Sequence, residues 1–499
     1  MKRFQLILWP LLLFSYTSHA RLLQIIHTND LHSYFTGYND GSGGGYARVR
    51  TKIRELRDAA AQKNIDVLQV DAGDWGEGTS FFLADKGKSS LNALELLGAE
   101  VATIGNHDHL VGGKVLAQQI RNSNISTKFT VANVVPTPDM AWNDTITSYV
   151  DIDRGGIKIR VIGLTTDEAY FRYSMAPGLI SSPVTVGEQE AQKAKAAGRE
   201  LVIALTHIGQ SRDRSLAQGS SAIDVIIGGH THTKLTEVDW EKNKKGKSVP
   251  IVQAWAHGLA VGTLLLDVDD NGNVKVVEYK LHEIDNSVPQ DPQMTSLIES
   301  ASPQRNDNLA FPFDEVIGVT QIPISGYKAG KPVVRSSCWG HHMAKAARTA
   351  VGAAVGVHIS QFEGMSKPAG PVTYADIANS FPHFRKYGDQ GWEIATVLMS
   401  GIKLKFFMSW ISSHGYGVSF SGLGYRVAPE GEDNGQDIGD EKAVYRVAFP
   451  AEVALAIKTS LPGYRKYLQG LQYTGKYYWT VFADYLRKNT PISCSNIDD

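Results

Sequence analysis

Cysteine is nearly absent from this 499-residue chain, which carries only Cys338 and Cys494. Two cysteines make no metal-site spacing, which excludes a thiolate zinc cluster and leaves one disulfide as the most they could form. Charge of one sign is lacking as well. Lysine and arginine total 50 against 51 acidic residues, a formal −1. No basic stripe of the kind that nucleic-acid binders show is present, so no nucleic-acid partner is expected. After the first twenty residues no apolar run is long enough to cross a bilayer, and internal repeats and low-complexity tracts are missing. What remains is an ordinary globular composition, 42% apolar and 20% charged with 48 glycines. The length exceeds one ordinary core, so two domains of roughly 200 residues or more are expected.

The first twenty residues read as a secretory leader. Lys2 and Arg3 form a basic start, Phe4 to Phe14 an apolar core, and Ser18-His19-Ala20 a small-x-small cleavage site. No cysteine follows to carry a lipid, so the mature chain is expected to begin near Arg21 and to be periplasmic or secreted. From there β-prone runs alternate with helix-like stretches: Arg21 to His27, Tyr46 to Lys63, Ile65 to Val70, Ser90 to Leu97, Ala99 to Ile104 and Gly112 to Ile120. Lys128 to Asn133, Ile157 to Leu164, Gly187 to Ala197, Glu200 to Thr206 and Ala222 to Ile227 continue the pattern. Val249 to Trp255 and Gly262 to Val268 read as a closing hairpin-like pair. This alternation predicts an α/β fold with much parallel sheet. Near residue 290 the texture changes, which divides the chain into a leader at 1–20, a first domain at 21–290, a connecting helix within 291–312 and a second domain at 313–499.

Five of the strand-like runs end in residues that can hold metals: Asp30 and His32, Asp74, Asn106, His207, and His230 with His232. The carboxyl ends of strands are the usual place for ligand contacts in an open α/β sheet. One histidine at a strand end is more often a hydrogen-bonded structural residue. Two at i and i+2 on extended backbone point the same way, and five such clusters in order are harder to assign to chance. Two carboxylates, one amide and four imidazoles suit divalent Zn, Mn, Fe or Co. Seven donors exceed the need of one ion, and two metals sharing one carboxylate is the economical count. Such a pair would hold a hydroxide nucleophile and clamp a phosphoryl oxygen. His107, beside Asn106, is then placed to protonate the leaving oxygen. Asp71, His109 and His257 read as second-rank or structural, and His27 as core.

Asp30-x-His32, Gly73-Asp74, Gly105-Asn106-His107-Asp108, Thr206-His207 and Gly229-His230-Thr231-His232, in this order, resemble the calcineurin-like metallophosphoesterase superfamily. The leader, the form Thr28-Asn29-Asp30-Leu31-His32 and a second domain of some 200 residues resemble its secreted 5′-nucleotidase family. The resemblance implies a four-layer α/β/β/α sandwich followed by an α/β nucleotidase-like substrate domain. It implies one metal on Asp30, His32, Asp74 and His232, and another on Asp74, Asn106, His207 and His230. It further implies hydrolysis of phosphomonoesters, with nucleotides as the favoured small-molecule substrates. Departures are visible too. The acid that follows the family's Gly-Asn-His-Asp/Glu and an aromatic is replaced here by His109-Leu110-Val111, so Asp108 or a group from elsewhere must orient His107. In the second domain, His341 stands at the family's Asn position after Arg335, and Pro382-His383-Phe384-Arg385 replaces Pro-Phe-x-Asn. Phe384, Tyr416, Phe420 and Tyr425 are candidates to stack on a flat group, and no substrate residue is assigned. The same metals acting on a cyclic nucleotide diester, a pyrophosphate or a sulfur ester is the alternative, followed by a member that binds metal and ligand without turnover.

Overall fold

The strand Arg21–Thr28 has the sequence RLLQIIHT and is buried on both faces beyond its first residues, as a central strand between two helical layers must be. It pairs in parallel with Asp66–Asp71 and antiparallel with Ala260–Val268. In the computed structural model of the protein these belong to a seven-stranded sheet. Its order is Val274–Glu283, Ala260–Val268, Arg21–Thr28, Asp66–Asp71, Val101–Thr103, Lys128–Thr130 and Ile146–Thr147. The structure describes residues 21–301, 312–324, 327–328, 331–332, 337–386, 388–413, 417–423, 440–460 and 462–496, except 39–40, 143–144 and 170. The proposed leader therefore lies outside the described residues, as do Arg335, Tyr416, Tyr425 and much of the connector.

A second sheet runs Asp239–Lys242, Ser248–Val252, Val225–Ile227, Leu201–His207, Ile157–Thr165 and Tyr149–Arg154. The two sheets face each other across one apolar layer, in which Leu23, Leu68, Val70 and Val101 of the first meet Ile159, Val161, Ile203 and Val225 of the second. The outer face of the first sheet packs on the helices Tyr46–Gln62, Lys88–Leu97 and Gly113–Ser123. The outer face of the second packs on Pro183–Ala196 and Gln210–Gly219. The result is the four-layer α/β/β/α order. One sequence expectation is corrected. Val249 to Trp255 and Gly262 to Val268 are not a hairpin-like pair: Ser248–Val252 lies in the second sheet and Ala260–Val268 in the first. The segment between them crosses from sheet to sheet and brings Trp255 and His257 to the strand ends.

The later part of the chain has its own five-stranded sheet, ordered Val418–Ser421, Val355–Ile359, Val444–Pro450, Glu393–Ser400 and Gln472–Tyr477. Helices Cys338–Val351, Tyr374–Ser380 and Tyr478–Asn489 cover it. Cys338 and Cys494 form a disulfide with a Cα–Cα distance of 5.5 Å, tying the start of the first of these helices to the turn Cys494–Asn496. The two parts share apolar packing. Phe82, Leu83 and Leu110 of the first bury in the same cluster as Phe381 and Phe384 of the second. The Ser80 N–H donates to Asn379 Oδ1 at 2.7 Å, and Tyr173 donates its hydroxyl to the Arg385 carbonyl at 3.2 Å. This contact sets Phe381 to Arg385 beside the strand ends of the first part.

Candidate metal centre

The strands of both sheets end on the same side, and the backbone there adopts a conformation that side chains rarely accept. Asp30, His32, Asp74, His230 and His232 all have positive φ, between 48° and 80°. Left-handed backbone at non-glycine residues is uncommon and costs energy, so five of seven predicted metal donors in it is a concentrated local strain. Hydrogen bonds hold it in place. The Asp30 N–H donates to the Gly73 carbonyl at 2.8 Å, His32 N–H to the Asp74 carbonyl at 2.9 Å, and His257 N–H to the Asp30 carbonyl at 2.7 Å.

These turns aim the side chains at one another. His207 Nε2 lies 2.9 Å from Asp74 Oδ2 and 3.7 Å from Asp30 Oδ1. His32 Nε2 lies 3.6 Å from Asp74 Oδ2, 3.9 Å from Asp30 Oδ1 and 3.1 Å from His232 Nε2, itself 3.4 Å from Asp30 Oδ1. His230 joins Asp74 and His207 in a second group whose ligand atoms all lie within 4.8 Å. Asp74 thus belongs to both groups. Asn106 is fully buried, and neither its Oδ1 nor its Nδ2 has a hydrogen-bond partner among the described residues. A buried polar side chain left this way costs energy unless something else satisfies it. Six of the seven predicted donors are therefore brought to one place, and the seventh, Asn106, follows Gly105, whose backbone packs on Asp74.

The groups behind these donors are those a metal site needs. His32 donates Nδ1–H to the Glu77 carbonyl at 2.6 Å and His207 donates Nδ1–H to the Ala72 carbonyl at 2.8 Å, which leaves each Nε2 for a ligand role. Asn29 donates from Nδ2 to Asp30 Oδ2 and to the Trp255 carbonyl, both at 2.6 Å, and so orients the Asp30 carboxylate. Burial opposes charge on His207, but Asp74 and Asp30 hold its pKa up at about 10. Burial also opposes charge on Asp74, whose pKa the surrounding histidines nevertheless hold well below the usual carboxylate range. Carboxylates compensated by imidazolium protons are what a divalent ion would displace on binding. The residues present fit two divalent ions.

His107 stands at the open edge of this cluster. Its backbone N–H donates to Asp74 Oδ1 at 2.8 Å, and its Nδ1 meets Glu77 Oε2. Burial opposes charge on the ring, yet Glu77 and Asp74 raise its pKa to about 9. Of the two expected ways to orient His107, Asp108 is set aside and a group from elsewhere takes the place. The Asp108 carboxylate is taken up by three backbone amides, with Asp74 and Gly105 N–H on Oδ2 at 2.9 and 2.7 Å and Gly76 N–H on Oδ1 at 2.8 Å. Asp108 fixes the turn that carries Asp74, and Glu77 is the acid on His107. Glu77 was not singled out in the sequence. Its only signal there is its place three residues after Asp74 between Gly76 and Gly78. A Cβ on Gly78 would lie 2.4 Å from the His32 carbonyl oxygen, so only glycine lets this loop close on His32.

Of the side residues, Asp71 accepts from Thr28 Oγ1 and the Gly73 N–H, and His109 pairs its Nδ1 with Ser174 Oγ at 2.7 Å. Both are buried supports. His27 is buried within its strand. His257 stacks on Tyr34 with ring centroids 3.9 Å apart and bonds to the Tyr38 hydroxyl, while its ring edge closes on His32 and His232. Phe171 sits between His107 and His230, and Glu168 Oε1 lies 3.3 Å from His230 Nε2. From the second part of the chain, His383 approaches Glu77. Phe384 is buried against Phe82 and Phe420 against the Val355–Ile359 strand, so neither candidate stacking ring is exposed.

Residues 23–234 match the family model described as calcineurin-like phosphoesterase. The chain is 34% identical over 277 residues to a snake venom 5′-nucleotidase of Gloydius brevicauda, covering 50% of this chain and 46% of that protein. It is 31% identical over 292 residues to a 5′-nucleotidase of Rattus norvegicus, covering 54% and 49%. The match thus spans about half the length of these curated relatives. Among solved structures, a 5′-nucleotidase precursor from Thermus thermophilus superposes with a TM-score of 0.76 at 23% identity, over 95% of this chain and 97% of that one. A 5′-nucleotidase from Candida albicans does so at 0.67 and 15%, over 93% and 98%. At these identities the likeness is one of fold, and it extends over both parts of the chain.

Proposed function

We propose that this chain, whose residues 23–234 match the calcineurin-like phosphoesterase family model, hydrolyses phosphoric monoesters, with nucleotides as the favoured substrates. The observation that carries this reading is the clustering of six donors in groups that share Asp74, with the buried Asn106 amide otherwise unsatisfied and a histidine–carboxylate pair at the open edge. Asp30, His32, Asp74 and His232 would hold one divalent ion, and Asp74, Asn106, His207 and His230 the other, each ion being Zn, Mn, Fe or Co. Two such ions, when bound, supply an activated water and neutralise phosphoryl oxygens. The chain's own residues do the rest. Asp74 spaces the two groups, and Asn29 and the Glu77 carbonyl hold Asp30 and His32 in their orientations. His107, kept protonated by Glu77, gives its Nε2 proton to the departing alkoxide, which is the costly part of expelling a sugar oxygen.

We further propose that the chain is exported after loss of residues 1–20 and is periplasmic or secreted, a reading the Cys338–Cys494 disulfide supports. In this reading 21–290 is the metal-bearing domain, 291–312 the connector and 313–499 the substrate domain. No helix among the described residues is long and apolar enough to cross a membrane. The test is a rate comparison on purified protein, stripped with chelator and restored with manganese or zinc. It would be offered AMP, p-nitrophenyl phosphate and bis(p-nitrophenyl) phosphate. Metal-dependent release from AMP well above the generic monoester is expected. Equal rates on the generic esters would discard the nucleotide, and an Asp74→Asn variant with full activity and metal content would discard the metal centre.

A further inference from the structure

Glu77 is a buried carboxylate with three neighbours of different kinds. Its backbone carbonyl accepts from His32, and its Oε2 meets His107. Its Oε1 has no hydrogen-bond partner among the described residues. The group that faces this second oxygen comes from the other part of the chain: His383 Nδ1 lies 3.7 Å away, at ion-pair rather than hydrogen-bond distance. The His383 ring is not loosely placed. It stacks on Trp392 with centroids 4.9 Å apart and a 24° interplanar angle, and Phe362 and Phe381 meet it edge-on at 5.9 and 5.7 Å. It stands 6.2 Å from the His107 ring. A carboxylate held at only one oxygen can swing about its last torsion, whereas one met at both oxygens has a single orientation.

We propose that His383 is a positioning residue for His107: by facing the second oxygen of Glu77 it fixes the carboxylate, and through it the direction in which His107 presents Nε2. The catalytic pair is then completed only when the two parts of the chain are in contact, although every metal donor lies in the first. This inference rests on the hydrolase reading for its kinetic arm and is independent of it for its spectroscopic arm.

The variant His383→Phe keeps an aromatic ring against Trp392 and removes the nitrogen, and His383→Gln restores a donor. On AMP, whose ribose oxygen needs a proton to leave, His383→Phe should lower kcat about tenfold with KM within about twofold. On p-nitrophenyl phosphate, whose phenolate leaves without a proton, kcat should stay within about twofold. His383→Gln should recover most of the loss, and His383→Phe should add nothing further in a Glu77→Gln background. Equal losses on both esters, or additive losses with Glu77→Gln, would overturn the proposal. If the wild-type protein turns over neither ester, the hydrolase reading fails and the second arm decides this one. The His107 Nδ1–H resonance, identified by its absence in His107→Asn, is expected to move in His383→Phe and to return toward its position in His383→Gln. An unmoved resonance would overturn the assignment.

Discussion

Adding one methyl group at Gly105 puts the proposed metal centre to a severe test. A Cβ built there would lie 2.1 Å from Asp74 Oδ1 and 2.5 Å from the Asp74 nitrogen, where ordinary contact begins at 3.4 Å. The obstacle is not a flexible side-chain tip. Asp74 Oδ1 accepts from the His107 N–H, the Asp74 N–H is bound to Asp108, and Asp74 Oδ2 faces His207. Gly105→Ala must therefore push the Asp74 turn away by roughly 1 Å, a misplacement of the size that costs about 100-fold in rate when it falls on positioned groups. Overpacking of a tight interior adds about 1–3 kcal/mol of destabilisation, or roughly 3–10 °C in the melting temperature of a domain this size. The assay is metal content by mass spectrometry after dialysis against manganese, alongside turnover and melting with and without metal. Gly463→Ala, where a Cβ would meet nothing within 4 Å, is the control. Expected are fewer than two equivalents of metal in Gly105→Ala, turnover lower by about two orders of magnitude, and a smaller metal-induced rise in melting temperature. A Gly105→Ala protein with two equivalents and wild-type turnover would refute the placement of Asp74 as the shared ligand.

Glu77→Gln and Asp108→Asn should separate two acids that look alike in sequence. The first should lower kcat on AMP by about 100-fold while sparing p-nitrophenyl phosphate, with some loss in melting as buried His107 loses its counter-charge. The second turns an amide against backbone N–H groups, should cost about 2–4 kcal/mol of stability by thermal denaturation and should slow both esters. Glu452 is buried with its Oε2 unpartnered among the described residues, and burial raises its pKa to about 8. Its unfolded carboxyl ionises near 4.5, so wild-type stability should fall as pH climbs from 4.5 toward 8. Glu452→Gln should remove that slope, worth at most about 5 kcal/mol, in melting measured across the range. Replacing Cys338 and Cys494 by serine opens a link between residues 156 apart and should cost about 3–5 kcal/mol, read by calorimetry with thiol titration as the check.

The cluster of predicted donors was legible because each sits where an apolar run stops, and a polar triplet directly after a buried strand is a local feature. The four-layer order was legible only through the family resemblance. Periodicity sees Val249 to Trp255 and Gly262 to Val268 as two neighbouring apolar runs and cannot tell which sheet each joins. The partner of His107 was not legible for a related reason. Asp108 is adjacent in sequence, but the 3-10 turn at Asp108–Val111 points its carboxylate back at the Gly105 amide, while Glu77 arrives from another strand's loop. His383 is further still from any local signal, since contacts between distant segments, such as Phe82 on Phe384, bring it near. The second part of the chain remained hard to read because its buried histidines, His341, His342 and His358, sit in helix and strand interiors with no pattern that separates packing from chemistry.

Glu77 serves three partners with three different atoms, and this has a consequence for how the protein can change over generations. Aspartate at this position would fall one methylene short of the two rings, glutamine would present an amide where a charge is needed, and any altered backbone would release His32. Each partner is likewise bound to the present shape of Glu77. A replacement of Glu77 that suits one contact must also be accepted by the others, so a different acid is expected to arise through paired replacements. An acid on the turn after His107, in place of His109 to Val111, is one such exit, and it becomes open only if Glu77 is first made dispensable.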